Sequence, residues 1–145
     1  MKPEIKFRAM MPPDYEDFTR ETSYVPGPQF GGIVAWSWDG RKNTVMGAVG
    51  MDGWTPASVM LHWWIRQPRC LIPLAHEVQR YLHHHGKRKV FAMAAASNVR
   101  CVRMIFNRLG FTEVARLKDG WAEGIDIVIS ERPVDAELRL SQGVN

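Results

Sequence analysis

A single histidine interrupts the most apolar run of the chain. The run is Ser58–Ile65 (SVMLHWWI), and His62 is its only titratable side chain. An imidazole of ordinary pKa near 6.5 can take a proton from an ammonium group, directly or through one water. It can equally be a core histidine that donates a hydrogen bond to a neighbour. Arg66, Arg69, Cys70 and Leu71 follow. From there the spacing of Leu71, Leu74, Ala75, Val78, Tyr81 and Leu82 predicts a helix over 70–85. The free N–H groups and positive dipole end of a helix start suit an anion such as pyrophosphate, and two guanidinium groups add charge-assisted donors. Further on, the small residues Ala94-Ala95-Ala96-Ser97-Asn98 leave room for a ligand to approach the backbone.

Other side chains carry two readings each. Asn98 is a natural helix cap. Arg100 and Arg103 lie on the helix it starts, either as a solvated face or as phosphate contacts. Cys101 reads as a packed small residue rather than a nucleophile, because no partner base stands near it in the sequence. His83-His84-His85 resembles a metal tract, yet it falls at a helix end, where imidazolium suits the dipole. No His-Glu-x-x-His or Cys/His spacing accompanies it, and no metal is expected. Alternation along a strand puts Trp63 and Trp64 on opposite faces. One belongs to the core, and the other is free to line an acceptor pocket or a partner surface. Asp119 and Asp126 read as turn and sheet-edge residues, with Asp126 a candidate second acid/base group.

These residues need a scaffold. Glu4–Met10 predicts a strand, and Pro12-Pro13-Asp14 starts a short helix through about Thr22. Residues 23–32 are a Pro/Gly loop. Ile33–Trp38 and Thr44–Gly50 form a hairpin around Asp39-Gly40, with Gly47 and Gly50 marking a bend or a close backbone approach. The strand Ser58–Ile65, the helix over 70–85 ended by Gly86, and the strand Lys89–Ala95 follow. A second helix runs from Ser97 or Asn98 to Leu109, with Gly110 ending it. Phe111–Leu117 and Gly124–Ser130 are the last strands, joined by a turn at Lys118-Asp119-Gly120. The order β-α-β-β-β-α-β-α-β-β gives a mixed α/β sheet. It contains a parallel pair where a helix joins 58–65 to 89–95.

The 145 residues are enough for one domain. With 46% hydrophobic and 23% charged residues, the composition excludes a disordered or collagen-like chain. The net charge of +4 fits a phosphate pocket, weak nucleic-acid binding or plain solubility. No helix-turn-helix, zinc-finger or RNA-stacking motif is present, so nucleic acid is not an expected partner. Cys70 and Cys101 lack metal-ligand spacing and suggest a reducing compartment. The start of the chain does not read as a signal peptide, and no apolar run of about 18 residues exists. The expectation is a cytoplasmic protein.

The run SNVRCVRMIFNRLGF, followed by EVARLKDG and GIDIVI, resembles the C-terminal half of the GNAT N-acetyltransferases. Together with DGWTPASVMLHWWI it is most similar to the small GNAT-like proteins encoded by bacteriophages. The resemblance covers roughly residues 30–132. It implies a mixed, mostly antiparallel sheet with a central splayed parallel strand pair and helices on both faces. One domain would span 1–132, with a polar tail over 133–145. It also implies acetyl transfer from acetyl-CoA to a primary amine, with CoA wedged between the splayed strands. On that resemblance the backbone of Trp63, Trp64 and Ile65 polarises the thioester carbonyl. Arg66, Arg69, Cys70 and Leu71 form the pyrophosphate turn. Asn98, Arg103 and Phe106 flank CoA, and His62 deprotonates the amine. The family's turn reads Arg/Gln-x-x-Gly-x-Gly/Ala, whereas this chain has Arg66-Gln67-Pro68-Arg69-Cys70-Leu71. Phe106 stands where the family often has a tyrosine general acid. The alternative is a GNAT-fold phage protein without catalysis, associated with a virion or a host protein. A homodimer is a further possible partner state.

Overall fold

The computed structural model describes residues 2–136 and 138. β1 (Lys6–Ala9) leads into α1 (Pro12–Thr22), then β2 (Gly31–Trp38), β3 (Asn43–Asp52) and β4 (Ser58–Ile65). A 3₁₀ turn (Pro68–Cys70) opens α2 (Leu71–His84), which β5 (Lys89–Ala95) follows. α3 (Val99–Arg103) runs into a π turn (Met104–Arg108), and β6 (Thr112–Ala122) and β7 (Ile125–Pro133) close the chain. The seven strands form one sheet in the order β1-β2-β3-β4-β5-β7-β6. Among the described residues only β4 and β5 pair in parallel, as the α2 crossover requires.

Local chemistry explains most boundaries. Pro12 and Pro13 occupy the first turn of α1, where a missing N–H costs nothing. The Asp14 carboxylate accepts from Met11 N–H at 2.8 Å and pairs with Arg8 at 2.5 Å, tying β1 to the helix start. Gly86 and Gly110, both at positive φ, stop the helical segments before β5 and β6. Asn98 Oδ1 accepts from Cys101 N–H at 3.1 Å, so the expected cap is made.

Two layers of core sandwich the sheet. Leu71, Leu74, Val78 and Leu82 of α2 pack with Ile105, Leu109 and Phe111 against Val59, Leu61 and Trp63. On the other face Phe18 of α1 and Phe30 of the 23–30 loop cover Val34, Ala48 and Trp64. Trp63 and Trp64 therefore do point to opposite faces, and both are buried. Gly50 is the close approach the sequence suggested, because a Cβ there would meet the Phe30 ring.

Three expectations change. The helix after Asn98 is α-helical for only five residues and then widens into a π turn, with Leu109 N–H bonded to Met104 O at 3.1 Å. The sequence places a turn at Lys118-Asp119-Gly120, but β6 runs through it to Ala122. Asp119 takes up positive φ as an irregularity in the ladder, its N–H held by Asp126 Oδ1 at 3.0 Å, and the reversal falls at Glu123-Gly124. Val134 and Leu138, within the segment expected as a polar tail, are buried against the α2 core. Residue 137 and residues 139–145 of that segment lie outside the described residues.

Candidate functional site

The parallel pairing of β4 with β5 runs from Ser58↔Lys89 to Leu61↔Ala92 and stops. β4 continues to Ile65 against β3, and β5 continues to Ala95 against β7. The two strands therefore part from His62 and Met93 onward. A cleft of ≈ 730 Å³ opens there, within the range of small-molecule sites. The last residues of β4, the turn before α2, the end of α1 and the α3–π segment line it.

Of the residues singled out in the sequence, Trp63, Trp64, Ile65, Arg66, Leu71, Asn98 and Arg103 line this cleft. Arg100, Cys101 and Arg108 join them. His62, Arg69, Cys70 and Phe106 are not among the lining residues. Arg69 donates instead to Pro3 O at 3.3 Å. Cys70 is fully buried with Sγ 3.5 Å from Met46 O, and burial pushes its thiol up to about 11. Phe106 is half-buried against the α2-side core. Burial likewise raises the Cys101 thiol to about 11, which keeps it protonated and favours the packing reading over the nucleophile. His83 Nδ1 lies 2.7 Å from Asp135 Oδ1, and His85 Nδ1 donates to Tyr81 O at 2.8 Å.

The turn before α2 is built unlike a backbone phosphate cradle. The N–H groups of Arg66 and Gln67 both donate to Met46 O at 2.9 Å. Cys70 N–H donates to Gln67 O, and Leu71 N–H donates to Pro68 O. Pro68 has no N–H to give. What the cleft offers an anion is side chains. Arg66 lies over the Trp64 ring at 5.8 Å, and Arg100, Arg103 and Arg108 face it from the α3–π segment. None of these four guanidinium groups is ion-paired among the described residues. Two buried donors at the cleft, Trp63 Nε1 and Arg108 Nε, have no hydrogen-bond partner. A polyanionic ligand with amide and phosphate acceptors, such as a CoA thioester, fits this donor set.

His62 sits where the strands begin to part, on the α1 face, and is only 3% exposed. Its Nε2 lies 2.7 Å from Asp52 Oδ1. The Tyr24 hydroxyl donates to Asp52 Oδ2, and the Tyr24 ring stacks on the imidazole at 3.9 Å. Burial lowers the His62 pKa below its ordinary value, opposed by the Asp52 hydrogen bond and charge. Burial, the bond to Asp52 and its charge together push the Tyr24 hydroxyl well above the usual tyrosine range. Burial thus favours the neutral imidazole, the form able to accept a proton. Sequence reasoning missed Asp52 and Tyr24. Asp52 was within reach, since the hairpin sets it opposite Met60, diagonal to His62. Tyr24 lies in an irregular loop and left no periodic signal.

No protein-family model and no curated protein sequence matches the chain. Solved structures do. A protein from Desulfovibrio desulfuricans assigned to the GNAT family superposes with a TM-score of 0.66 at 18% identity, covering 90% of this chain and 99% of that one. A protein from Salmonella typhimurium assigned as an acetyltransferase, solved with its cofactor acetyl-CoA, gives 0.67 at 14%, covering 92% and 95%. The ribosomal-protein-S18-alanine N-acetyltransferase of Escherichia coli gives 0.67 at 13%, covering 94% and 98%. The fold is the GNAT fold. Its mixed, mostly antiparallel sheet, single parallel pair and helices on both faces agree with the architecture the resemblance implied. Among the described residues no helix is long and apolar enough to cross a membrane.

Proposed function

We propose that the chain is an N-acetyltransferase that moves an acetyl group from acetyl-CoA to a primary amine. The observation that carries this reading is the juxtaposition at the strand divergence. A buried histidine sits at the first β4 residue past the parallel pairing, next in sequence to the Trp63–Arg66 segment, which lines a cleft with four arginines that have no ion-pair partner among the described residues. Arg66, Arg100, Arg103 and Arg108 would hold the phosphates, and Asn98 and Trp63 would flank the rest of the ligand. Bound acetyl-CoA would supply the thioester carbonyl next to the β4 backbone at Trp63–Ile65, where polarisation by N–H groups favours attack. An ammonium acceptor must lose one proton before it can attack, and His62 would take it. Among the described residues Glu21 is the one carboxylate lining the cleft, and it would attract a cationic acceptor. Arg69, Cys70 and Phe106 fall outside this scheme, and the departing thiolate would draw its proton from water.

Calorimetry with acetyl-CoA on the purified protein tests the reading. Micromolar binding, followed by thiol release with a panel of primary amines, is the expected result. A folded protein that does not bind millimolar acetyl-CoA would overturn it. The N–H groups of Arg66, Gln67, Cys70 and Leu71, already bonded within the protein, favour a second reading, in which a phage-encoded GNAT fold acts without catalysis in a virion or on a host protein. That reading expects no CoA binding and stable association with a protein partner.

A further inference from the structure

The two oxygens of Asp52 engage two different side chains: Oδ1 is 2.7 Å from His62 Nε2, and Oδ2 accepts from the Tyr24 hydroxyl. A carboxylate can only accept, so Nε2 carries the imidazole proton and the lone pair lies on Nδ1. Nδ1 has no hydrogen-bond partner among the described residues. The ring itself cannot swing away, because Tyr24 stacks on it at 3.9 Å and Phe30 closes the cluster at 6.1 Å.

We propose that Tyr24, Asp52 and His62 form a relay in which Asp52 fixes the Nε2–H tautomer and supports the charge that His62 gains at Nδ1, while Tyr24 moderates the carboxylate. Asp52 and Tyr24 are positioning residues; they act through the imidazole. Their role in acetyl transfer rests on His62 being the base. The proton of the acceptor ammonium moves to Nδ1, and the freed nitrogen lone pair forms the C–N bond. The C–S bond breaks with its electron pair on sulfur. The imidazolium keeps Nε2–H on Asp52 and returns the added proton to water after product leaves. The same logic governs other histidines whose second nitrogen is held by a carboxylate.

The ring's surroundings leave few other charges to account for. β3 contributes Asp52, and the 23–30 loop contributes Tyr24 and Phe30. Along β4 the same face carries Met60 and Trp64, and α1 presents Phe18 to Trp64. Past the last β4–β5 pair, Met93–Ala95 of β5 have no titratable side chain. Glu21 of α1 lines the cleft beyond Trp64.

The test is the ¹⁵N titration of the His62 imidazole in the full chain, in wild type, Asp52→Asn and Tyr24→Phe. The wild type should show the Nε2-protonated tautomer and titrate below the ordinary value. Asp52→Asn removes the supporting charge, and the midpoint should fall by about one unit. Tyr24→Phe keeps the stacked ring but frees the carboxylate from its donor, and the midpoint should rise by some tenths of a unit. With an acceptor in hand, the acid limb of kcat/KM should move in the same two directions while acetyl-CoA affinity stays within about twofold. Movement of both variants in one direction, an unmoved midpoint, or an Nδ1-protonated wild type overturns the relay. If Asp52→Asn fails to fold, an unmoved midpoint in Tyr24→Phe is decisive alone. Absence of acetyl-CoA binding in wild type would sink the acetyltransferase reading, whereas the titration would still decide the relay.

Discussion

The Phe30 ring fills the space above Gly50, where a Cβ would lie 2.1 Å from Phe30 Cζ. Gly50 pairs across the β3–β4 ladder with His62, so the glycine lets the loop that carries Tyr24 and Phe30 settle onto the imidazole. Gly50→Ala should push the ring outward and cost about 1–3 kcal/mol, typical of overpacking. Phe30→Leu should recover part of that loss in the double variant, because two residues in contact couple by about 0.5–3 kcal/mol. Urea midpoints of the two single variants and the double variant give the coupling. Additive losses would show that Gly50 and Phe30 do not constrain one another.

Asp14 binds the end of β1 to the start of α1. Its carboxyl is subject to burial, which raises its pKa, but the Arg8 and Met11 hydrogen bonds prevail and hold it below the usual carboxylate value. A group with a lowered folded pKa contributes stability above its unfolded pKa and loses it as pH falls through the folded value. Asp14→Asn should therefore cost about 1.5–3 kcal/mol at neutral pH, the range for hydrogen bonds to charged groups. The gap between variant and wild type should begin to narrow below about pH 3.8, the unfolded value, and continue to close as pH falls through the lower folded value. Thermal melts at pH 7 and pH 3 check this, and a gap as wide at pH 3 as at pH 7 would remove the charge argument.

The arginines divide into two groups with opposite expectations. Arg103 faces the cleft without an ion-pair partner, whereas Arg69 is spent on Pro3 O. Arg103→Ala should weaken acetyl-CoA binding about tenfold, roughly 1.4 kcal/mol, and should weaken pantetheine binding little. Arg69→Ala should leave both affinities unchanged. Calorimetry with the two ligands separates the cases. A large loss in Arg69→Ala would return the phosphate site to the start of α2.

The elements on either side of the site were legible because each carried its own punctuation. Ser58–Ile65 and Lys89–Ala95 match their predicted limits, being apolar runs bounded by Pro and Gly signals. Asn98 was readable as a cap because its short side chain reaches the N–H three residues on. The failures share a different cause. Lys118-Asp119-Gly120 has turn composition, yet pairing with β7 carries the strand through it. The arginine before Cys70 looked like a phosphate ligand, and only the three-dimensional path shows it reaching the N-terminal segment. The Tyr24–Asp52–His62 contacts join residues 28 and 10 apart in sequence, and no local pattern encodes them.

Because His62 is buried, its protonation opposes folding. Its folded pKa is depressed chiefly by burial, so between that value and about 6.5 the unfolded chain binds more protons than the folded one. Stability should accordingly rise with pH through this window, by about 1.4 kcal/mol for each unit of depression, and level off above pH 7. The Asp14 contribution changes below about pH 3.8, outside the pH 5 to 8 range of the measurement. His62→Gln removes the titration while retaining a polar side chain able to donate to Asp52. The other four histidines remain in the variant, so the difference between the two stability curves isolates His62. Urea denaturation at half-unit steps from pH 5 to 8 should give a steeper rise for wild type than for His62→Gln. Parallel curves would mean that the imidazole is as easily protonated in the folded protein as in the unfolded chain, and that it is not held neutral for proton transfer.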